Sequence, residues 1–203
     1  MSNTLKHKFT SAKADGTDTS RVRPSNWNDE HAFAGGSDGQ ALVRDSGQTD
    51  GANWAHRAKV LSINTTPANN VTTGETDLMT YTLPANTLGT NGQALRITVW
   101  GTTAANANTK TLKLKFGATS VTLNPTTTAP NAKDWRATAI VARTGAATQE
   151  MITEACVGAV QDSTTRSAPT ETLSGSLVIK VTGQSGTASD DISQKGMLIE
   201  QLN

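Results

Sequence analysis

The sequence predicts an all-β protein: an antiparallel β-sandwich, jelly-roll-like, carried behind an extended N-terminal arm. Three observations lead there. From residue 57 onward, apolar and polar residues alternate with period two in short runs. The runs are separated by spacers rich in Thr, Asn, Gly and Pro, the residues of turns. No stretch keeps the 3.6-residue period over three helical turns. Residues 57–203 are therefore expected to form a knob domain, and residues 1–56 an arm.

Within the knob, strands are expected at about 57–65, 76–83, 93–101, 110–116, 119–124, 134–143, 149–160, 172–182 and 192–201. Two alternate clearly. LRITVWG puts Leu95, Ile97 and Val99 on one face and Arg96, Thr98 and Trp100 on the other. TLKLKFG separates Leu112, Leu114 and Phe116 from Lys113 and Lys115. Segments such as PANTLGTNG, NPTTTAPNA and QDSTTRSAP read as connections. Eight or nine short strands at this spacing suit an antiparallel sandwich. The lone cysteine, Cys156 in MITEACVGAV, reads as an inward-facing strand residue, and one cysteine allows no intramolecular disulfide.

The arm is polar and glycine-rich, yet it carries Phe9, Trp27, Phe33 and Trp54. Too little apolar surface is present for it to fold alone. Buried against partner chains, those aromatics would order it. Pro24 holds Arg23 extended, and Gly35-Gly36 breaks the segment RVRPSNWNDEHAFA. Residues 37–54 read as a tight hairpin or a crossing arm. Ala41, Leu42 and Val43 lie there between the turn signals Asp38-Gly39 and Ser46-Gly47. An arm behind a β knob of modest apolar content suits a homo-oligomer, most simply a trimer.

Charge excludes one class of partner. The net charge is +1, with 18 basic and 17 acidic residues, so the basic footprint of a nucleic-acid binder is missing. The start, MSNTLKHKFT, has no apolar core of a signal peptide, and no run reaches the roughly 20 apolar residues of a membrane span. Synthesis in a cytoplasm without membrane insertion is the expectation. Asn64-Thr65-Thr66 and Asn70-Val71-Thr72 then mark surface positions rather than glycosylation sites.

Catalytic and metal-binding patterns are not found. His7, His31 and His56 have no metal-ligand spacing, and adjacent Asp29, Glu30 and His31 do not face one another. Asp15, Asp18 and Asp38 sit in glycine turns without the rest of a calcium-loop series. The chain has no GxSxG, P-loop, GxGxxG or CxxC motif. Glu75, Asp77, Glu150, Glu154, Glu171 and Glu200 show no pairing of the kind glycoside hydrolysis needs. No catalytic residue, cofactor or metal is expected, and the protein is read as a non-enzyme.

Two pieces of the arm resemble known proteins. DGTDTSRVRPSNWNDEH and GGSDGQALVRDSGQTDGANW resemble N-terminal blocks of tailed-bacteriophage virion proteins: fibres, tail appendages and head-decoration proteins. The resemblance covers about a quarter of the chain. LPANTLGTNGQALRITVWG and the residues after it are similar, more distantly, to the β-sandwich knobs of such proteins. It implies a virion structural protein made in the bacterial host. The arm would attach to other virion proteins (capsid, portal or neck, or tail) and the knob would project outward. Val22, Pro24, Trp27, His31, Phe33, Gly39, Leu42 and Trp54 are the expected attachment and winding residues. The short chain favours capsid decoration or a head fibre. The alternative is a tail or collar appendage whose knob binds a host surface glycan, with Trp100, Asn131, Asp134 and Trp135 as the candidate patch.

Overall fold

The computed structural model describes residues 58–124, 131–158, 160–186 and 190–203, together with Thr17 and four short strand segments nearer the N-terminus. The chain falls into two units, Met1–His56 and Arg57–Asn203. In the first, β1 (Thr4–Leu5) pairs antiparallel with β2 (His31–Ala32), and β3 (Gln40–Arg44) with β4 (Ala52–His56). Leu42 stands opposite Trp54, so the hairpin expected over 37–54 is present. Leu5 stands opposite His31. Val22, Pro24, Trp27, Phe33 and Gly39 lie outside the described residues.

The second unit holds β5 (Lys59–Asn64), β6 (Ala68–Asn69), β7 (Thr76–Leu83), β8 (Ala94–Thr103), β9 (Lys110–Phe116), β10 (Thr119–Thr122), β11 (Asp134–Gly145), β12 (Thr148–Val157), β13 (Val160–Ser167), β14 (Leu177–Ser185) and β15 (Ile192–Gln201). All pairings are antiparallel. One sheet runs β10-β9-β14-β7; the other runs β13-β12-β11-β8-β15-β5, with β6 also on β15. No helix occurs among the described residues. The antiparallel sandwich predicted from the sequence is the fold observed.

Alternation explains how the two sheets face each other. Leu95, Ile97 and Val99 of β8 point inward with Ala137, Ala139 and Val141 of β11 and Met197 and Ile199 of β15. From the smaller sheet come Leu112, Leu114 and Phe116 of β9 and Ile179 and Val181 of β14. They form one core with the larger sheet's residues. Each such fully buried large side chain contributes about 1.5–3 kcal/mol. Ala137 and Ala139 thin the core over β11, which lets the sheets close there.

Four expectations need correction. The run QDSTTRS is not a connection but most of β13, an edge strand whose polar sequence carries no apolar alternation. The strand expected over 149–160 ends at Val157, because Gly158 takes a φ of 80° and turns the chain. Cys156 does not point inward. It follows buried Ala155 on β12 and stands opposite exposed Arg136, on the outward face. Asn70 is fully buried rather than a surface position. Its side chain accepts a hydrogen bond from Ile192 N (2.7 Å) and donates to Thr72 O (3.3 Å), replacing strand partners that the short β6 does not supply.

Two polar networks brace the sandwich. Asp191, just before β15, is buried and accepts from Asn106 Nδ2 (2.6 Å), Asn108 Nδ2 (2.8 Å) and Ser185 Oγ. Buried Lys110 donates to Asn106 O (3.1 Å), Asn106 Oδ1 (2.7 Å) and Asn108 O (3.1 Å). Burial pushes the Asp191 carboxyl up, but those three donors and the Lys110 charge outweigh it and hold it below its usual range. The β8–β9 loop is thereby fixed against the start of β15.

The second network lies on the outer face of the smaller sheet. Glu75 accepts from Lys113 (2.7 Å), Lys115 and Thr182 (2.9 Å), and Lys180 pairs with Asp77 (2.8 Å). The two lysines draw the Glu75 carboxyl from 4.5 down to about 2. A lowered folded-state pKa means a contribution that is complete above pH 4.5 and lost as pH falls toward 2. Glu75→Gln should therefore cost about 1 kcal/mol at pH 7, after allowance for solvent screening. The difference from wild type should vanish near pH 2. Denaturant unfolding of both proteins across that range reads the effect; a gap that stays constant with pH contradicts it.

Candidate functional site

The outward face of the larger sheet carries one pocket that joins the singled-out tryptophans. It is built where β8, β11, β12 and β15 lie side by side. Register sets one row across them: Cys156 opposite Arg136, Arg136 opposite Trp100, and Trp100 opposite Gly196. Two residues along, Asp134 stands opposite Thr102. Trp100, Gly101, Thr102, Asp134, Trp135, Arg136, Cys156, Gly158 and Lys195 line a cavity of ≈ 300 Å³.

Two glycines decide where the indoles go. A Cβ on Gly196 would overlap the Trp100 ring, so the indole lies directly on the bare backbone of β15. This is the cross-strand pairing of an aromatic with a strand glycine. On the opposite face, a Cβ on Gly101 would overlap the backbone carbonyl oxygen of Ser193 and sit 2.6 Å from Trp135 Cζ2. Trp135 is only 3% exposed, and its Nε1 donates to Thr102 O (3.3 Å). Trp135 thus underlies the pocket from the core side, while half-buried Trp100 presents its ring on the outer face.

β15 reaches this geometry through a bulge. Its register against β8 shifts between Gln194 and Gly196. Gln194 turns inward and is fully buried, accepting from Met79 N of β7 (3.0 Å) and donating to Gly196 O (3.1 Å). The extra residue, Lys195, is left exposed at the pocket. Gly158 closes the far side, its N–H donating to Asp134 O (2.7 Å).

The patch expected from the sequence is thus partly assembled. Trp100, Asp134 and Trp135 meet in one pocket, and Asn131 is exposed on the segment before β11 without lining it. Gly101, Arg136, Cys156, Gly158, Gly196 and Lys195 were not anticipated as site residues. A signal existed for Gly196: a glycine inside an alternating strand marks a bulge or a close backbone approach. Arg136 and Cys156 had none, because only the strand order places them beside Trp100. Among the described residues no cluster of His, Cys, Asp and Glu forms a metal site.

No family model matches the chain, and no curated protein matches it. Among solved structures it is similar to the CBM2 module of Lactobacillus casei BL23 phage J-1 evolved Dit. Identity there is 10% and the TM-score 0.40, with 72% of this chain and 97% of that one covered. That likeness is too distant to bear on function.

The two glycine contacts predict unequal costs. Gly101→Ala forces a methyl into the backbone carbonyl of Ser193 and the buried Trp135 ring and should lose about 1–3 kcal/mol or more of stability. Gly196→Ala should lose less, because half-buried Trp100 can swing outward, and should change the near-UV signal of that indole. Denaturant unfolding of both variants checks the order; equal losses contradict it.

Proposed function

We propose that this protein is a non-enzymatic appendage of a tailed-phage virion, with a knob that binds a saccharide on the host surface. The observation that carries the proposal is the Trp100 platform: an indole laid on Gly196, on the outer face, at a pocket with polar groups on its rim. Saccharide rings present an apolar C–H face bordered by hydroxyls, and a fixed aromatic face with hydrogen-bonding groups around it matches that pattern. Asp134 is placed to accept from hydroxyls, while Arg136 and Lys195 are placed to donate. The cavity lies at the small end of the usual ligand range of about 300–1,000 Å³, suited to one or two sugar units.

Asp134 is the only carboxylate among the lining residues, one short of the pair used in glycoside hydrolysis, which favours binding over turnover. The virion assignment rests on the resemblance of the two N-terminal blocks. In this proposal residues 1–56 hold the knob to other virion proteins, and the chain assembles as a homotrimer. Val60 and Ile63, 55% and 63% exposed on edge strand β5, offer a neighbouring copy apolar surface. A recognition pocket favours the tail or collar over capsid decoration.

The test uses the full chain on an array of bacterial surface saccharides. Wild type should bind a subset. Trp100→Ala should weaken that binding at least about tenfold, with Trp100→Phe retaining most of it. Undiminished binding by Trp100→Ala overturns the proposal. Immunogold labelling of particles should mark the tail or collar; label spread over the head would return the reading to capsid decoration.

A further inference from the structure

The charges around Trp100 go beyond a generic saccharide site. Across much of the sandwich the strand-borne cations are matched. Arg96 Nε lies 2.7 Å from Glu200 Oε2, and Arg166 makes two 2.9 Å hydrogen bonds to Glu150. Lys113 and Lys115 share Glu75, and Lys180 takes Asp77. Lys110 is enclosed by oxygens, and Arg143 donates to Leu88 O (2.6 Å) and Asn91 Oδ1 (3.2 Å).

The pocket breaks that habit. Arg136 and Lys195 line it, both exposed, and neither side chain has a hydrogen bond or ion pair among the described residues. Lys133 adds a third cation. Its aliphatic chain runs beside pocket residue Gly158, whose Cβ position lies 3.4 Å from Lys133 Cδ, and its ammonium is likewise unpaired there. Asp134 is the single acid among the lining residues. A protein with a net charge of only +1 has gathered around one aromatic face three cations unmatched among the described residues.

Chance placement of surface lysines does not explain two of these positions. Lys195 stands outward at the β15 bulge, next to the Gly196 that carries the Trp100 ring, and that bulge is held by buried Gln194. Arg136 is fixed by register between Trp100 and Cys156. Both flank the outward indole that lies on a glycine.

We infer that the Trp100 pocket takes a saccharide bearing an anionic substituent, a carboxylate or a phosphate, whose sugar ring stacks on Trp100 while the anion lies between Arg136 and Lys195. Guanidinium and ammonium both bond such oxygens, and Arg136 has the planar fork suited to two of them at once. Asp134 then accepts from a ring hydroxyl away from the anion and disfavours a ligand turned the opposite way. This inference rests on the saccharide reading of the same pocket.

The experiment compares members of matched pairs on the full chain. Saccharides carrying a uronate are set beside their carboxyl-reduced forms, and phosphate-bearing ones beside their dephosphorylated forms. The charged member of at least one pair should bind about tenfold or more tighter than its neutral counterpart. Which kind of pair responds tells carboxylate from phosphate. Arg136→Gln and Lys195→Gln should each remove most of that preference while leaving the unfolding midpoint unchanged, and raised salt should erode it. Equal binding of charged and neutral members overturns the inference and leaves the saccharide reading standing. Binding of neither member in any pair overturns both.

Discussion

The site depends on one irregularity, the bulge in β15. A regular strand would carry the alternation that turns Gln194 inward and Lys195 outward on to an inward Gly196 and an outward Met197; the bulge instead lays Gly196 under Trp100 and returns Met197 to the core. The bulge costs ladder hydrogen bonds, and Gln194 replaces them: it spans from Met79 N in one sheet to Gly196 O in the other. The same side chain thereby ties the two layers together and fixes the backbone on which Trp100 rests. Remove the amide, and the carbonyl of Gly196 and the N–H of Met79 are left buried without that partner.

Around the bulge the fold is braced from two directions. Asp191 holds the β8–β9 loop to the residue before β15, through Asn106, Asn108 and Ser185. Trp135 fills the core side of Gly101 and bonds the carbonyl of Thr102. The pocket therefore sits on paired strands and not on free loops. Preorganisation of this kind lowers the entropy cost of binding, which matters for a cavity of ≈ 300 Å³ offering few contacts to any single sugar unit. Weak single sites gain most from repetition, so a multivalent virion would suit such a knob.

Much of the sandwich was legible because its central strands are amphipathic. LRITVWG and TLKLKFG declare their two faces, and both are buried on the side the alternation indicates. β13 was missed for the opposite reason: an edge strand of Gln, Asp, Ser, Thr and Arg has little to bury, so only its pairing with β12 makes it a strand. Asn70 misled because burial of an amide is licensed by a distant backbone group, Ile192 N, which no local pattern reveals. The site was half legible. Trp100 stood out as an aromatic on the polar face of its strand, and Asp134 and Trp135 lay together in sequence. Arg136, Cys156, Lys195 and Gly196 reach Trp100 only through strand order.

The central claim is that Trp100, seated on Gly196, is the surface a saccharide occupies. Nuclear magnetic resonance titration of the labelled protein, with a saccharide it retains on the array, tests this most directly. The Trp100 indole signal should shift together with the backbone signals of Arg136, Lys195 and Gly196. The Trp135 indole, bonded to Thr102 inside the core, should move little. Shifts confined to the smaller sheet, with the Trp100 indole unmoved at saturation, would contradict the claim.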